Sequence, residues 1–320
     1  MSKKSKRKTN LKSAILLLLL MAVLLITSSY AWFTSNETVT VSSLQVNVKA
    51  TNGLQISADG ETWKSVLSKD DIVKGYDGST NNIPTEMAPV STTGNVATGN
   101  MDMYYGKVIT DESTGNFLLT ATKDTDTTGH YIVFDLFLKV DSPSDIYLTA
   151  NSKVEYKGAE DKGLQNAARV AFVEEGNTAV TSNLTTIRGL KLASGTAKIW
   201  EPNNDKHSVL GAQNARDYYG VTDDPITQVP YYGIMKEITQ SDNISLKQTV
   251  TASPSATHFA KVSPAWTTPQ TMSAQAYGNL KAGITKIRVY MWVEGQDVDC
   301  ENGASGTDIA YTIQFSTKNS

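Results

Sequence analysis

The chain has 320 residues, 40% of them hydrophobic and 19% charged, enough for one large sandwich or two smaller domains. Six of the 29 basic residues lie in the first 31 positions, which hold no acid; the remainder sets 23 basic against 32 acidic groups, a net charge of about −9. So acidic a body has no electrostatic pull toward nucleic acid or anionic lipid, and the lone Cys300 excludes an internal disulfide.

Lys3, Lys4, Lys6, Arg7, Lys8 and Lys12 precede an uninterrupted apolar run at 14–26 (AILLLLLMAVLLI), and Thr27-Ser28-Ser29-Tyr30-Ala31 follows. This basic, apolar, small-residue order is that of a secretory signal whose apolar part is a helix. Ser29 and Ala31 form the small pair that a signal peptidase reads, which places the cut after Ala31. The alternative is a retained anchor, although the run falls short of the roughly 20 residues that span a bilayer. Either way the body is expected outside the membrane, touching it only through the N-terminal segment. Export with a single cysteine fits a Gram-positive bacterium.

Beyond Phe33 the dominant signal is alternation with period two. Residues 38–50 (TVTVSSLQVNVKA) put Val39, Val41, Leu44, Val46 and Val48 near one face, with a slip at Ser42-Ser43 that predicts a bulge. Strands are also expected at 54–57, 130–140, 145–150, 168–174, 189–192, 244–252, 284–293 and 308–317. In 130–140 (HYIVFDLFLKV), Ile132, Phe134, Leu136, Leu138 and Val140 point inward, while Tyr131, Asp135 and Lys139 point the other way. Helical turns are expected only at 164–169 and 274–281. The polar stretches near 76–106 and 200–232 exceed ordinary loop length and read as insertions. The pattern predicts an all-β fold: a jelly-roll-like antiparallel β-sandwich with long loop insertions, one domain over 32–320 behind a signal at 1–31.

The junction Tyr30-Ala31-Trp32-Phe33-Thr34-Ser35, behind its basic start and leucine-rich run, resembles the signal junctions of SipW-dependent proteins of Firmicutes. That is the family of the TasA and camelysin (CalY) biofilm-matrix proteins. Segments such as 54–60 (LQISADG), 133–139 (VFDLFLK) and 292–300 (WVEGQDVDC) resemble a clostridial branch carrying the same signal. The resemblance implies a jelly-roll sandwich, processing by a SipW-type signal peptidase, and a secreted or cell-surface role. It also implies self-assembly, or assembly with other surface or matrix proteins, in which the first strand of one subunit completes a neighbour's sheet. Val39, Val41, Leu44, Val46 and Val48 would be the donor-strand residues here. The plain alternative is a first strand folded into its own domain.

Little in the sequence carries chemistry. His130, His207 and His258 are far apart, with no HExxH pair, and there is no GxSxG elbow, P-loop or dinucleotide fingerprint. A non-enzyme is expected, with no catalytic residue and no cofactor unless calcium binds. Asp297, Asp299, Glu301 and Asp308 have calcium-like oxygen spacing; Asp124, Asp126 and Gly129 match half of a DxDxxG loop whose twelfth position, Asp135, falls inside a strand. Solvated hairpin acids are the simpler alternative. Trp200, Tyr218, Tyr219, Tyr231 and Tyr232 flank or lie in the second insertion, where exposed rings would stack on sugars in a surface adhesin or carbohydrate-binding module. Otherwise they pin the loop to the sandwich. The leading expectation is a secreted or cell-surface structural protein, a matrix or fibre subunit.

Overall fold

The computed structural model describes residues 38–49, 53–222, 226, 229–245, 257–267, 275–301, 304 and 306–317. The leader, with Ser29 and Ala31, and residues 32–37 lie outside them.

Alternating side chains produce the expected strands. In chain order these are β1 (Val39–Lys49), β2 (Gln55–Ser57), β3 (Val66–Leu67), β4 (Glu86–Met87), β5 (Val90–Ser91), β6 (Asn95–Ala97) and β7 (Asn100–Met101). There follow β8 (Tyr104–Thr110), β9 (Phe117–Lys123), β10 (Ile132–Val140), β11 (Ser144–Leu148), β12 (Lys153–Tyr156), β13 (Ala168–Thr178) and β14 (Ser194–Thr196). The last are β15 (Lys198–Glu201), β16 (Tyr231–Ile234), β17 (Phe259–Val262), β18 (Trp266–Thr267), β19 (Gln275–Leu280), β20 (Gly283–Val293) and β21 (Asp308–Ser316).

Two large sheets make the sandwich. One is seven-stranded, ordered β19-β11-β21-β1-β3 with β12 also on β21 and β4 on β1; the other is six-stranded, ordered β18-β15-β13-β20-β10-β2. Between them the five expected side chains of β1 meet Phe134, Leu136 and Leu138 of β10 and Ile287, Val289 and Met291 of β20 in one apolar core. The fold is therefore the expected all-β sandwich. Most pairs are antiparallel, but β1 runs parallel to β21 over nine residue pairs, with the register slip at Val41/Ser43. First and last strands of a chain need no hairpin between them, so either direction is open to them.

The two insertions are structured. Residues 86–110 supply β4 to β8, and 200–232 holds a helix, Val209–Tyr219. Ser208 Oγ accepts from the Gly211 amide at 2.8 Å at its start, and Gly220 ends it in the left-handed region at φ 67°. With β9, β14, β16 and β17 these pieces form three small sheets, β14-β6-β7, β5-β8-β9 and β16-β17.

Two local expectations need correction. Within 274–281, residues 275–280 are not helical: β19 pairs with β11 and buries Tyr277 and Leu280 in the sandwich core, so tertiary burial overrides helical propensity. Residues 189–192 form no strand, because Asn183 Oδ1 accepts from the Thr186 amide at 2.8 Å and caps a short helix, Leu184–Arg188, just before them. In 164–169 the helical turn is a 3-10 turn at Leu164–Ala167, with Arg169 already in β13. Of 244–252, Ser245 bridges Leu118; residues 246–252 lie outside the described part.

Phe315 of β21 is fully buried, with edge-on contacts to Phe172 and Tyr277. Phe315→Ala is expected to cost about 3–5 kcal/mol, read as a lower denaturant midpoint with an unchanged slope.

Candidate functional site

The central strand β20 is buried along all eleven residues. Its alternation nevertheless makes two different faces. Ile287, Val289, Met291 and Val293 enter the sandwich core, while Tyr290 and Trp292 join a second core with Tyr131, Val133, Ala171 and Val173. That second core is closed by Val90, Val96, Met101 and Met103 from the first insertion. Lys286 and Arg288 lie on this same outer face. A cation so placed must be paired or it destabilises the fold.

Register supplies the partners. Arg288 stands opposite Asp135 of β10 and Val173 of β13. Its guanidinium donates to Asp135 Oδ1 at 2.8 Å, Asp126 Oδ2 at 2.9 Å and Thr80 Oγ1 at 2.6 Å. Lys286 Nζ lies 3.1 Å from Asp135 Oδ2 and donates to the Arg188 carbonyl at 2.8 Å. The Tyr76 hydroxyl donates to the same Asp135 Oδ2 at 2.5 Å.

Glu175 sits where β13 bulges between Glu174 and Gly176 opposite β20. Its Oε2 accepts from the Leu192 amide at 2.7 Å, but its Oε1 is buried with no hydrogen-bond partner. Burial pushes the Glu175 carboxyl above its ordinary value, against the opposing pull of the Leu192 amide and nearby Lys286 and Arg288. These groups line a cavity of about 320 Å³ bounded by Tyr76, Asp135, Glu175, Lys191, Lys286 and Arg288.

The other end of the same face is organised by Arg169 at the start of β13. Its Nη2 donates to Glu201 Oε1 at 2.6 Å and Asp297 Oδ2 at 2.5 Å, and Nη1 reaches the carbonyls of Asn166 and Ala168, both at 3.1 Å. The guanidinium also stands 5.4 Å from the ring centre of Tyr231. Beside it, Glu294 Oε2 lies 2.6 Å from the Tyr231 hydroxyl and 3.0 Å from Trp292 Nε1. The Tyr231 hydroxyl is also 2.6 Å from the Thr92 carbonyl. One phenol has one proton to give, so both short contacts are met when Glu294 carries a proton of its own. Burial pushes the Glu294 carboxyl up to about 7. Strand β16 runs tight against this point: a side chain at Gly233 would collide with the Thr92 carbonyl.

No family model, curated protein or solved structure matches this chain. Its site is therefore read from its own residues.

Of the candidate calcium residues, Asp297 and Asp299 lie together, the Asp299 amide donating to Asp297 Oδ1 at 2.8 Å, while Asp308 belongs to the other sheet. Asp297 is paired with Arg169, and Asp299 accepts from His207 Nδ1 at 2.8 Å and the Ser208 amide at 2.7 Å. Asp308 Oδ1 accepts from the Ser42 amide at 3.1 Å in the other sheet, and Glu301 is buried. Among the described residues no three His, Cys, Asp or Glu side chains form a metal-holding group. The half DxDxxG loop is likewise engaged: Asp124 lies 2.7 Å from His130 Nδ1, Asp126 pairs with Arg288, and Asp135 with Arg288 and Lys286. Burial alone would lower the His207 pKa; the hydrogen bond and charge of Asp299 outweigh it and raise it.

For three of the sugar-stacking candidates the expectation is corrected: Trp200, Tyr219 and Tyr231 are only 0%, 6% and 5% exposed, so none of these three offers a ring face to a glycan. Trp200 packs in the sandwich core, Tyr219 donates to the Gln296 carbonyl at 3.2 Å, and Tyr232 packs on a third core with Ile234 and Phe259. The side chain of Tyr218 lies outside the described residues. These rings pin the second insertion to the sandwich. Val39, Val41, Leu44, Val46 and Val48 are all buried in the chain's own core.

Reading strands by one inward face missed Arg169, Glu175, Lys286, Arg288 and Glu294. A usable signal existed: in 284–293 (ITKIRVYMWV) the charges share their face with Tyr290 and Trp292, which solvent does not favour.

Glu294 gives a pH test. In the folded chain it holds its proton to about pH 7, against an ordinary value of 4.5. Folding therefore takes up a proton between these values, and stability falls as pH rises through that window. Glu294→Gln is expected to flatten this part of the stability–pH curve, measured by denaturant unfolding.

Proposed function

We propose that this chain is an exported structural protein of the cell surface or extracellular matrix, a subunit that polymerises through its first strand. The observation that carries this reading is the seat of β1. On one side it pairs with β21 over nine residue pairs; on the other, among the described residues, it pairs with β3 and β4, of two residues each. Its five buried aliphatic side chains contribute roughly 1.5–3 kcal/mol each to the sandwich. The equivalent strand of a neighbouring copy would fill the same slots with the same contacts, so exchange between chains costs little beyond ordering the connecting segment.

The position of β1 supports the same reading. It directly follows the leader and the junction that resembles SipW-dependent signals, so cleavage after Ala31 would free the residues ahead of it to reach a neighbour. The leader directs the body out of the cell, and the acidic charge argues against nucleic-acid partners.

A chain starting after residue 50 exposes the β21 edge and an emptied apolar groove. It is expected to form no polymer, and a synthetic peptide of residues 38–49 is expected to restore its folded signal in circular dichroism. Intact mature protein that stays monomeric by light scattering across concentration, pH and salt contradicts the polymer reading.

A further inference from the structure

We propose that Lys286 and Asp135 condense into an intramolecular amide, a covalent rung between β20 and β10, with Glu175 relaying the protons. The inference goes beyond the structural role proposed above and does not depend on polymerisation.

Three adjacent strands bring the groups together. Lys286 stands opposite Phe137 of β10, two pairs along from the Asp135–Arg288 pair and so on the same face, and opposite Gly176 of β13, next to the bulged Glu175. Lys286, Asp135 and Glu175 are 8%, 2% and 5% exposed. The amine nitrogen is already 3.1 Å from Asp135 Oδ2, and the Arg188 carbonyl fixes it from behind. Reacting atoms held at contact distance need little further ordering. Glu175 lines the same cavity with its Oε1 unpartnered, and burial pushes that carboxyl above its ordinary value.

The step balances without a co-reactant. Proton transfer within the pair leaves a neutral amine and a carboxylic acid. The Lys286 nitrogen adds to Asp135 Cγ, forming the C–N bond, while the oxygen developing charge at Oδ1 is held by Arg288 Nη1, now 2.8 Å away. Glu175 gives its proton to the departing Oδ2 hydroxyl and recovers one from nitrogen. The C–Oδ2 bond breaks and water leaves. An ammonium and a carboxylate become a secondary amide and water, nothing is oxidised or reduced, and Glu175 ends as it began. One cation and one anion vanish together, leaving Arg288 paired with Asp126 at 2.9 Å.

Intact-mass spectrometry of the purified, folded chain tests this. The expected mass lies one water below that calculated from the sequence between its mapped termini. Peptide mapping should give a branched peptide joining the segments that contain Asp135 and Lys286, with no cleavage after Lys286. Asp135→Asn should lose one ammonia instead, and Lys286→Arg should lose neither. Glu175→Gln should slow the loss after refolding at least tenfold while circular dichroism shows the fold intact. Wild-type protein of full calculated mass overturns the proposal whatever the variants do. So does a water loss that maps to a cyclised Asp-Gly such as Asp59-Gly60 or Asp77-Gly78. Unchanged kinetics in folded Glu175→Gln overturns the relay.

Discussion

Double-sided burial of β20 is the constraint on which the rest of the molecule depends. A strand covered on one face can turn charge to water on the other; β20 has no such outlet. Its neighbours β10 and β13 share the condition, so the sheet needs a second covering layer as well as the sandwich partner. The two long insertions supply that layer. Their packing also explains why charged residues in these strands come in matched sets: Arg288 and Lys286 with Asp126 and Asp135, Arg169 with Glu201 and Asp297. Each set is a desolvated pair or triad in which removal of one member strands the others. Such groups fix the register of three strands more sharply than apolar contacts do, because a slip leaves a charge unpaired.

The opposite sheet is built on another logic. There β1 and β21 lie side by side, and their inward side chains are aliphatic and aromatic, with no ion pair between the two strands among the described residues. Generic apolar slots tolerate replacement by an identical strand from another copy, whereas the charge-matched sheet would not. The molecule thus couples one sheet suited to exchange with one locked in register. That division suits the polymerising subunit proposed above: a body that stays folded while its first strand changes partner.

Much of this was legible in the sequence. Alternating valines in 38–50 and alternating aliphatics in 130–140 and 284–293 gave strand, face and even the bulge at Ser42-Ser43, because period two survives wherever one face meets a core. What escaped was the second cover. Asp135, expected on the outer face of its strand, is buried there, because the residues that close over it lie in segments that read only as polar loops. The Tyr and Trp residues near 200–232 were visible as a group, but their partners were not. Long-range pairings such as Arg169 with Asp297 or Tyr231 with Glu294 leave no local spacing to detect. The helix at Val209–Tyr219 was hidden for a related reason: its start is held by a distant Asp299, and Gly211 leaves that carboxylate room to approach.

Residue-level hydrogen–deuterium exchange tests the central constraint most directly. If β20 is held from both sides, its amides and those of β10 and β13 will exchange only through global unfolding. The amides of β8, β9, β16 and β17 in the covering layer will exchange through smaller openings at markedly lower free energy. Exchange in β20 as fast as in β8 and β9 would mean that its outer face is in contact with water, and the account would fail.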